Sequence, residues 1–461
     1  MTLWEQPAGD VFVLGAGFSR AISRHLPLTD ELGNACLELS DLRDERGVPI
    51  MGFVGGRFET WLSGLAEPQP YLSAPANLEN QALFQRFSDA IATVLGNRVD
   101  QTLSDPIPPW LPRFLTATHC RRSTLITFNY DTLVECAVHA RQLFQAGYAE
   151  PVPWTEVLGN VPAPPASSFK VGATPVDTLH LLKLHGSLNW YWVPGDASGI
   201  SMARRSLPGT FEAPNSYQEV DRRRQLPGRV PFVVPPSATK SVYYGNAIVR
   251  ETWAQAAQAL RSAVSVSILG YSLPVTDATF SGMLRHSLES TLAPIQVVDV
   301  CPANVLARLE ALGFDKARLT AEPSPEEPVE AAAVAFCRQT GVKALKALRY
   351  EARDECSDPL AVTWGVNQYA TVTSFSMQGS DLLLEVEDPA PIGRATRTRP
   401  DTELPTLQAV LGRTGDDSVW LLRDHSGVQE VLDWVPQTVD VGYGRGRWNM
   451  LMPGGLAPVR S

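Results

Sequence analysis

The stretch VFVLGAGFSR, residues 11–20, decides the fold: a short apolar run passes at once into Gly15, Ala16, Gly17 and Ser19, and a helical pattern follows. Glycines at such a junction let the backbone approach a pyrophosphate closely, while the helix N-terminus supplies free N–H groups and the positive end of its dipole. These four residues are therefore candidates for nucleotide binding. The third glycine of the usual dinucleotide fingerprint is missing, and a glycine-rich strand-to-helix turn is often only a tight turn, so both readings stand.

Working outward, further β-rich runs alternate with longer helical patterns up to about residue 325: LITFN, LLKLHGS, PFVVPPS, VSVSILGYS and IQVVDV. That alternation predicts a doubly wound parallel α/β sheet of the Rossmann type. Between roughly 195 and 230 lies a Gly-, Pro- and Arg-rich segment, with RRS from 204 and DRRRQLPGR from 221, which reads as a solvated loop or, less simply, a partner-binding patch. EPSPEEPVE, residues 322–330, reads as a hinge into a helix. Beyond it QYATVTSF, DLLLEVE and SVWLLRD alternate like half-buried strands. The expected organisation is residues 1–325 as the α/β domain, with a helical insertion, and 326–461 as a small β-rich domain.

The chain has 461 residues, 44% of them hydrophobic, enough for more than one core, and no apolar run approaches the ~20 residues a membrane span needs. The start, MTLWEQPAGD, has neither a basic leader nor an apolar core, so no signal peptide is expected. Six cysteines (36, 120, 136, 301, 337 and 356) lie far apart without a CxxC pair, which argues against a zinc ribbon or a disulfide framework and for a reducing cytoplasm. A net charge of −10 leaves no overall footprint for nucleic acid.

Chemistry gathers at the strand ends. LITFNYDTLVE (125–135) closes an apolar run with Asn129 and Asp131, either ligand-facing residues at the carboxyl edge of the sheet or a cap and first-turn charge for the next helix. LLKLHGSLNW places His185 after another run, where a histidine serves as general base or as a hydrogen-bonded structural residue; alternation sends His180 to the opposite face. The last two strands end in Gly270, Ser272 and Asp299, the acidic group suited to ribose hydroxyls or to capping a helix. Four strand ends offering phosphate-friendly backbone, an amide, a base and a ribose acceptor predict one cleft.

In the ordered set GAG-x-S (15–19), T-x-N-x-D (127–131), HGS (185–187) and G-x-S (270–272), the sequence resembles the sirtuin family over about its first 320 residues. The T-x-NYD and KLHGSLNW details look more like the sirtuin-like NAD hydrolase domains of bacterial anti-phage defence proteins than like deacetylases. The resemblance implies NAD bound across the cleft as substrate, Asn129 and His185 as catalytic amide and histidine, Asp131 fixing the catalytic loop, and Gly15, Ala16, Gly17 and Ser19 on phosphate and ribose. It also implies homo-oligomers or a companion such as a HerA-type ATPase or a short Argonaute. The deacetylases' four zinc cysteines are missing, and RHLPLTDEL stands where G-I-P-D-F-R would fall, keeping Pro27 but placing Thr29 and Asp30 after it. Water, not an acyl-lysine oxygen, is then the expected nucleophile, and no metal is expected. The alternatives are a catalytically silent module binding NAD or ADP-ribose and an NAD-dependent deacylase.

Three readings complete the sequence. Glu59 and Trp61, in RFETWLSGL, belong to the helical insertion, with core packing the simpler role for Trp61. In the C-terminal region His425 stands alone in RDHSG, and RATRTR from 394 reads as a solvated basic edge. No active-site cluster is expected there, which suits a sensor, an oligomerisation surface or a partner dock.

Overall fold

The computed structural model describes residues 9–42, 57–108, 110–121, 123–141, 179–204, 209–211, 213–214, 228–321 and 326–337, together with seven strands between 360 and 453. In chain order the elements are β1 (Asp10–Leu14), α1 (Ala16–Ile22), α2 (Thr29–Leu37), α3 (Phe58–Ala66), α4 (Ala74–Leu103), α5 (Trp110–Cys120), β2 (Thr124–Thr127), α6 (Leu133–Arg141) and β3 (His180–Lys183). An antiparallel excursion follows: β4 (Gly186–Trp192), β5 (Ala203–Arg204), β6 (Gly209–Thr210), β7 (Ala213–Pro214) and β8 (Val230–Val233). The chain then runs α7 (Ser241–Tyr244), α8 (Ala247–Arg261), β9 (Ser265–Leu269), α9 (Ala278–Leu288), β10 (Ile295–Val298), α10 (Pro302–Ala311) and β11 (Leu319–Ala321).

Six of these strands form one parallel sheet in the order β11-β10-β9-β1-β2-β3. This is the doubly wound arrangement that the alternating texture predicts. Val297, Ile268, Val13, Ile126 and Leu182 lie in one register row across five strands, and all five are buried in a single core. Ala256, Ala259 and Leu260 of α8, Phe280, Leu284 and Leu288 of α9, and Val305 and Leu309 of α10 belong to the same core. Each valine, leucine, isoleucine or phenylalanine among them contributes about 1.5–3 kcal/mol by leaving water. β1 and β2 are buried along their whole length, as parallel strands covered on both faces must be.

The chain order folds back at β1. Strands added after it run outward on one side as β2 and β3, and on the other as β9, β10 and β11. The carboxyl ends of β1 and β9 therefore flank the switch point, the place in such sheets where ligands sit.

Two sequence expectations need correction. PFVVPPS does supply a strand, β8, but it pairs antiparallel with β4 in a small sheet, not with the parallel strands, and buries Phe232 against Trp190 and Trp192. Its place in the parallel sheet is taken by β11, whose three residues leave too faint a pattern to read. Arg204 is also not solvated: it pairs opposite Trp190 in β5 and is 6% exposed. Residues 221–227, like 322–325, lie outside the described residues, and a helix starts at 328.

In the insertion, Trp61 stacks on Phe58 and meets Phe87 of α4 edge-on at 4.9 Å, so it packs a core. The chain divides into two compact units, one of Met1–Pro108, Arg122–Ala137 and Pro153–Ala331, the other of Pro109–Arg121, Val138–Val152 and Ala332–Ser461. The second contains a seven-stranded sheet, with β12 (Leu360–Gly365), β13 (Gln368–Gln378), β14 (Asp381–Glu387), β15 (Leu411–Arg413), β16 (Val419–Leu422), β17 (Trp434–Asp440) and β18 (Arg447–Pro453) in the order β15-β16-β14-β13-β12-β18-β17. All its pairings are antiparallel except β12 with β18. His425, Cys356 and the basic run at 394–399 lie outside the described residues.

Candidate functional site

β1 ends at Leu14, and α1 begins two residues later with Ala16. The turn between them is made against the end of β9: Gly15 N donates to Leu269 O at 3.1 Å, and Gly17 N to Gly270 O at 2.8 Å. A Cβ on Gly15 would lie 2.5 Å from Gly270 O, and one on Gly17 would lie 2.7 Å from Gly270 Cα. Gly270 has φ +58°, and a Cβ there would meet Gly17 C at 2.5 Å. The three glycines are thus required by backbone packed on backbone across the switch point. This accounts for them without a ligand, and it equally leaves a side-chain-free wall there.

The end of β2 is tied to this turn. Thr127 Oγ1 reaches Leu14 O at 3.4 Å and accepts from Asn129 N at 3.1 Å. Asn129 Nδ2 then donates both its hydrogens, to Gly15 O and to Ser19 Oγ, each at 2.8 Å. The Ser19 hydroxyl passes its own hydrogen to Asp131 Oδ2 at 2.6 Å, and Asp131 Oδ1 accepts from Leu133 N at 3.1 Å, capping α6. The chain Asn129 to Ser19 to Asp131 runs in one direction only. It leaves the carbonyl Oδ1 as what Asn129 offers a ligand, an acceptor suited to a hydroxyl or a water.

Beneath this chain sits a pair the sequence reading missed. Lys183 Nζ, at the end of the apolar strand β3, donates to Asp131 O at 2.5 Å and to Glu135 Oε1 at 2.8 Å, and the Lys183 and Glu135 side chains are both buried. Burial pushes the Glu135 carboxyl up, while the Lys183 ammonium pulls it back. A small cavity lined by Ser19, Thr127, Asn129, Asp131, Glu135 and Lys183 lies there. A lysine inside LLKLHGS was the available signal, since a charge on a buried strand needs a partner.

His185 lies two residues past the end of β3, as Asn129 lies two past the end of β2, beyond the register that pairs Thr127 with Lys183. It is 4% exposed, and its ring meets Phe128 edge-on at 4.9 Å. Its Nε2 lies 3.5 Å from Tyr244 Oη and 3.8 Å from Asp277 Oδ1. Burial, and next the field of Lys240, hold its pKa well below the ordinary histidine value, so the ring is neutral at pH 7, as a base must be. Lys240 bonds the same Asp277 Oδ1, and Tyr271 Oη donates to Asp277 Oδ2 at 2.7 Å. Lys240, Tyr244, Tyr271 and Asp277 were not read from sequence, because each acquires its role only from partners distant along the chain.

Ala16 starts α1 and is half-buried. Gly186 and Ser187 open β4, with Gly186 at φ +84°. Ser272 is exposed, and its carbonyl accepts from Arg308 at 2.5 Å. Asp299, one residue past β10, accepts from Cys301 N at 2.8 Å ahead of α10. His180 stands half-buried at the opposite end of β3, away from the carboxyl edge. From α3, the negative charge of Glu59 acts on Tyr130, Lys240 and Tyr271. Among the described residues no cluster of His, Cys, Asp and Glu is arranged to hold a metal ion, and no helix is long and apolar enough to cross a membrane.

No family model and no curated protein matches this sequence. Among solved structures, the chain is similar to one described as "Structural Basis for the Mechanism and Regulation of Sir2 Enzymes", at 13% identity over 75% of this chain and 95% of that one, with a TM-score of 0.31.

Proposed function

We propose that the protein is an NAD glycohydrolase, cleaving NAD to nicotinamide and ADP-ribose. The observation that carries this reading is the placement, each two residues past the end of one of two adjacent paired strands, of an amide locked by Ser19 and Gly15 and a buried, neutral histidine. In the reaction the bond from ribose C1′ to the pyridinium nitrogen breaks, and its electron pair leaves with nicotinamide. C1′ acquires oxocarbenium character, as in glycoside cleavage. Asn129 Oδ1 holds the attacking water or a ribose hydroxyl, and His185 accepts the proton released as water bonds to C1′. Asp131 and Ser19 keep the amide in place. The pyrophosphate lies along the glycine wall, with Gly270, Ser272 and Asp299 on the neighbouring strand ends available to the rest of the dinucleotide.

On the sequence resemblance alone, we place this activity in anti-phage defence as a regulated NAD-depleting effector, working as a homo-oligomer or with a companion such as a HerA-type ATPase or a short Argonaute. Residues 326–461 then serve control, not chemistry. One observation favours a different reading, a silent module that binds NAD or ADP-ribose: His185 is nearly inaccessible, and the glycines are fully used in packing. Both readings expect binding, and only the first expects turnover. Incubation with NAD, following nicotinamide release, separates them; an acyl-peptide requirement for that release would point instead to a deacylase.

A further inference from the structure

Asp277 is the N-cap residue of α9, yet its side chain caps nothing. An aspartate in that position ordinarily accepts from the backbone of the first helical turn. Here the carboxylate turns inward and is 6% exposed, with Oδ2 taking the Tyr271 hydroxyl and Oδ1 taking Lys240, itself 4% exposed. The same Oδ1 stands 3.8 Å from His185 Nε2. An ammonium and an imidazole thus face one carboxylate oxygen inside the protein.

Two buried cations cannot share one such oxygen without repulsion, so while Lys240 holds it the imidazole stays uncharged. The remaining groups around the ring do not change this sign. Phe128, after β2, and Trp253, on α8, are uncharged, and Tyr244, ending α7, is kept protonated by burial. Tyr271 is likewise held protonated, and burial brings Lys240 down to about 8, opposed by the charge of Glu59 on α3, which leaves the ammonium charged at neutral pH. We propose that Asp277 and Lys240 are the positioning pair for His185: the carboxylate fixes the edge of the ring and balances the charge it gains on taking a proton, while Lys240 keeps the resting ring unprotonated. This rests on the reading of His185 as the general base, and it adds two residues from distant elements to that role.

The test is a titration of the full chain labelled in histidine, with the His185 signal identified by its loss in His185→Gln. In the wild-type protein the His185 midpoint should lie well below the ordinary histidine value. Lys240→Met removes the competing cation and frees Oδ1 for the imidazole, so the midpoint should rise by about one unit or more, a tenfold gain in proton affinity. Should Lys240→Met not fold, Lys240→Gln, whose amide still donates to Asp277, should show the same upward direction, and Lys240→Arg should restore the wild-type titration. Where NAD turnover is measurable, its acid limb should move with the midpoint. Asp277→Asn should then lower kcat about tenfold with little change in KM. A His185 midpoint unmoved in a folded Lys240 variant overturns the proposal. Because the titration needs no turnover, an inactive wild-type protein would defeat the glycohydrolase reading while leaving the coupling of the three groups to be judged on its own.

Discussion

At the scale of single residues the account rests on Asn129 and His185. Asn129→Ala and His185→Ala are each expected to reduce NAD cleavage at least about a hundredfold, the loss typical of a positioned transition-state group. Asn129→Ala should also cost about 1–3 kcal/mol in urea unfolding, because it removes the donor to Gly15 O and Ser19 Oγ. The depressed pKa of His185 has a consequence for stability. The unfolded ring, near its ordinary 6.5, binds a proton that the folded ring resists, so stability is full above about pH 6.5 and falls on acidification toward the folded value. Urea midpoints measured from pH 7 to pH 5 should therefore fall more steeply in the wild type than in His185→Gln; parallel curves would contradict the assignment. Asn129 and Asp131 were legible as a pair with two meanings; the helix-end contact falls to Asp131, not to Asn129, since Asp131 takes Leu133 N at the start of α6 and also anchors Ser19, while Asn129 is turned to Gly15 and Ser19. Lys240 and Asp277 were not legible, since a lone lysine and a lone aspartate do not announce burial and stand 37 residues apart.

At the scale of elements, two junctions carry the site. Across the β1–α1 turn, Gly17→Val does not separate binding from folding, because any Cβ there runs into Gly270. Gly270→Ala should destabilise by at least about 2 kcal/mol, combining left-handed backbone with the collision on Gly17, and thermal unfolding checks it. Under β2 and β3, Lys183→Met strands the buried Glu135 carboxylate and should cost about 3–5 kcal/mol, whereas the double change with Glu135→Leu should recover most of that. A single variant as stable as the wild type would show that the pair does not support the Asp131 loop. Strand positions were readable where apolar runs abut glycine or polar stops, as in β1, β2, β9 and β10. PFVVPPS misled because a short apolar run looks the same in a parallel core and in an antiparallel ribbon, and β11 was too short to register.

At the scale of the molecule, the strand order puts the ends of β1 and β9 at the switch point and those of β2 and β3 beside it, which is why residues more than a hundred positions apart, such as Ser19 and Asp131, hydrogen-bond. The second unit draws in residues 109–121 and 138–152 as well as the C-terminal part of the chain, and within it Phe114 packs edge-on to Phe336 at 5.9 Å. Cutting the chain after residue 331 should consequently expose the α5 side chains and raise binding of a hydrophobic dye. An unchanged dye signal would mean that α5 is covered from elsewhere. If residues 326–461 exert control, that truncation should also change the oligomer mass and the basal rate. The central claim is turnover, and one measurement addresses it most directly: nicotinamide and ADP-ribose released from NAD by the purified full chain, alone and with the products of neighbouring genes, beside Asn129→Ala under the same conditions. The account expects the two products in equal amounts from the wild type and at least about a hundredfold less from the variant. NAD bound without release in every condition, or release undiminished in Asn129→Ala, would contradict it.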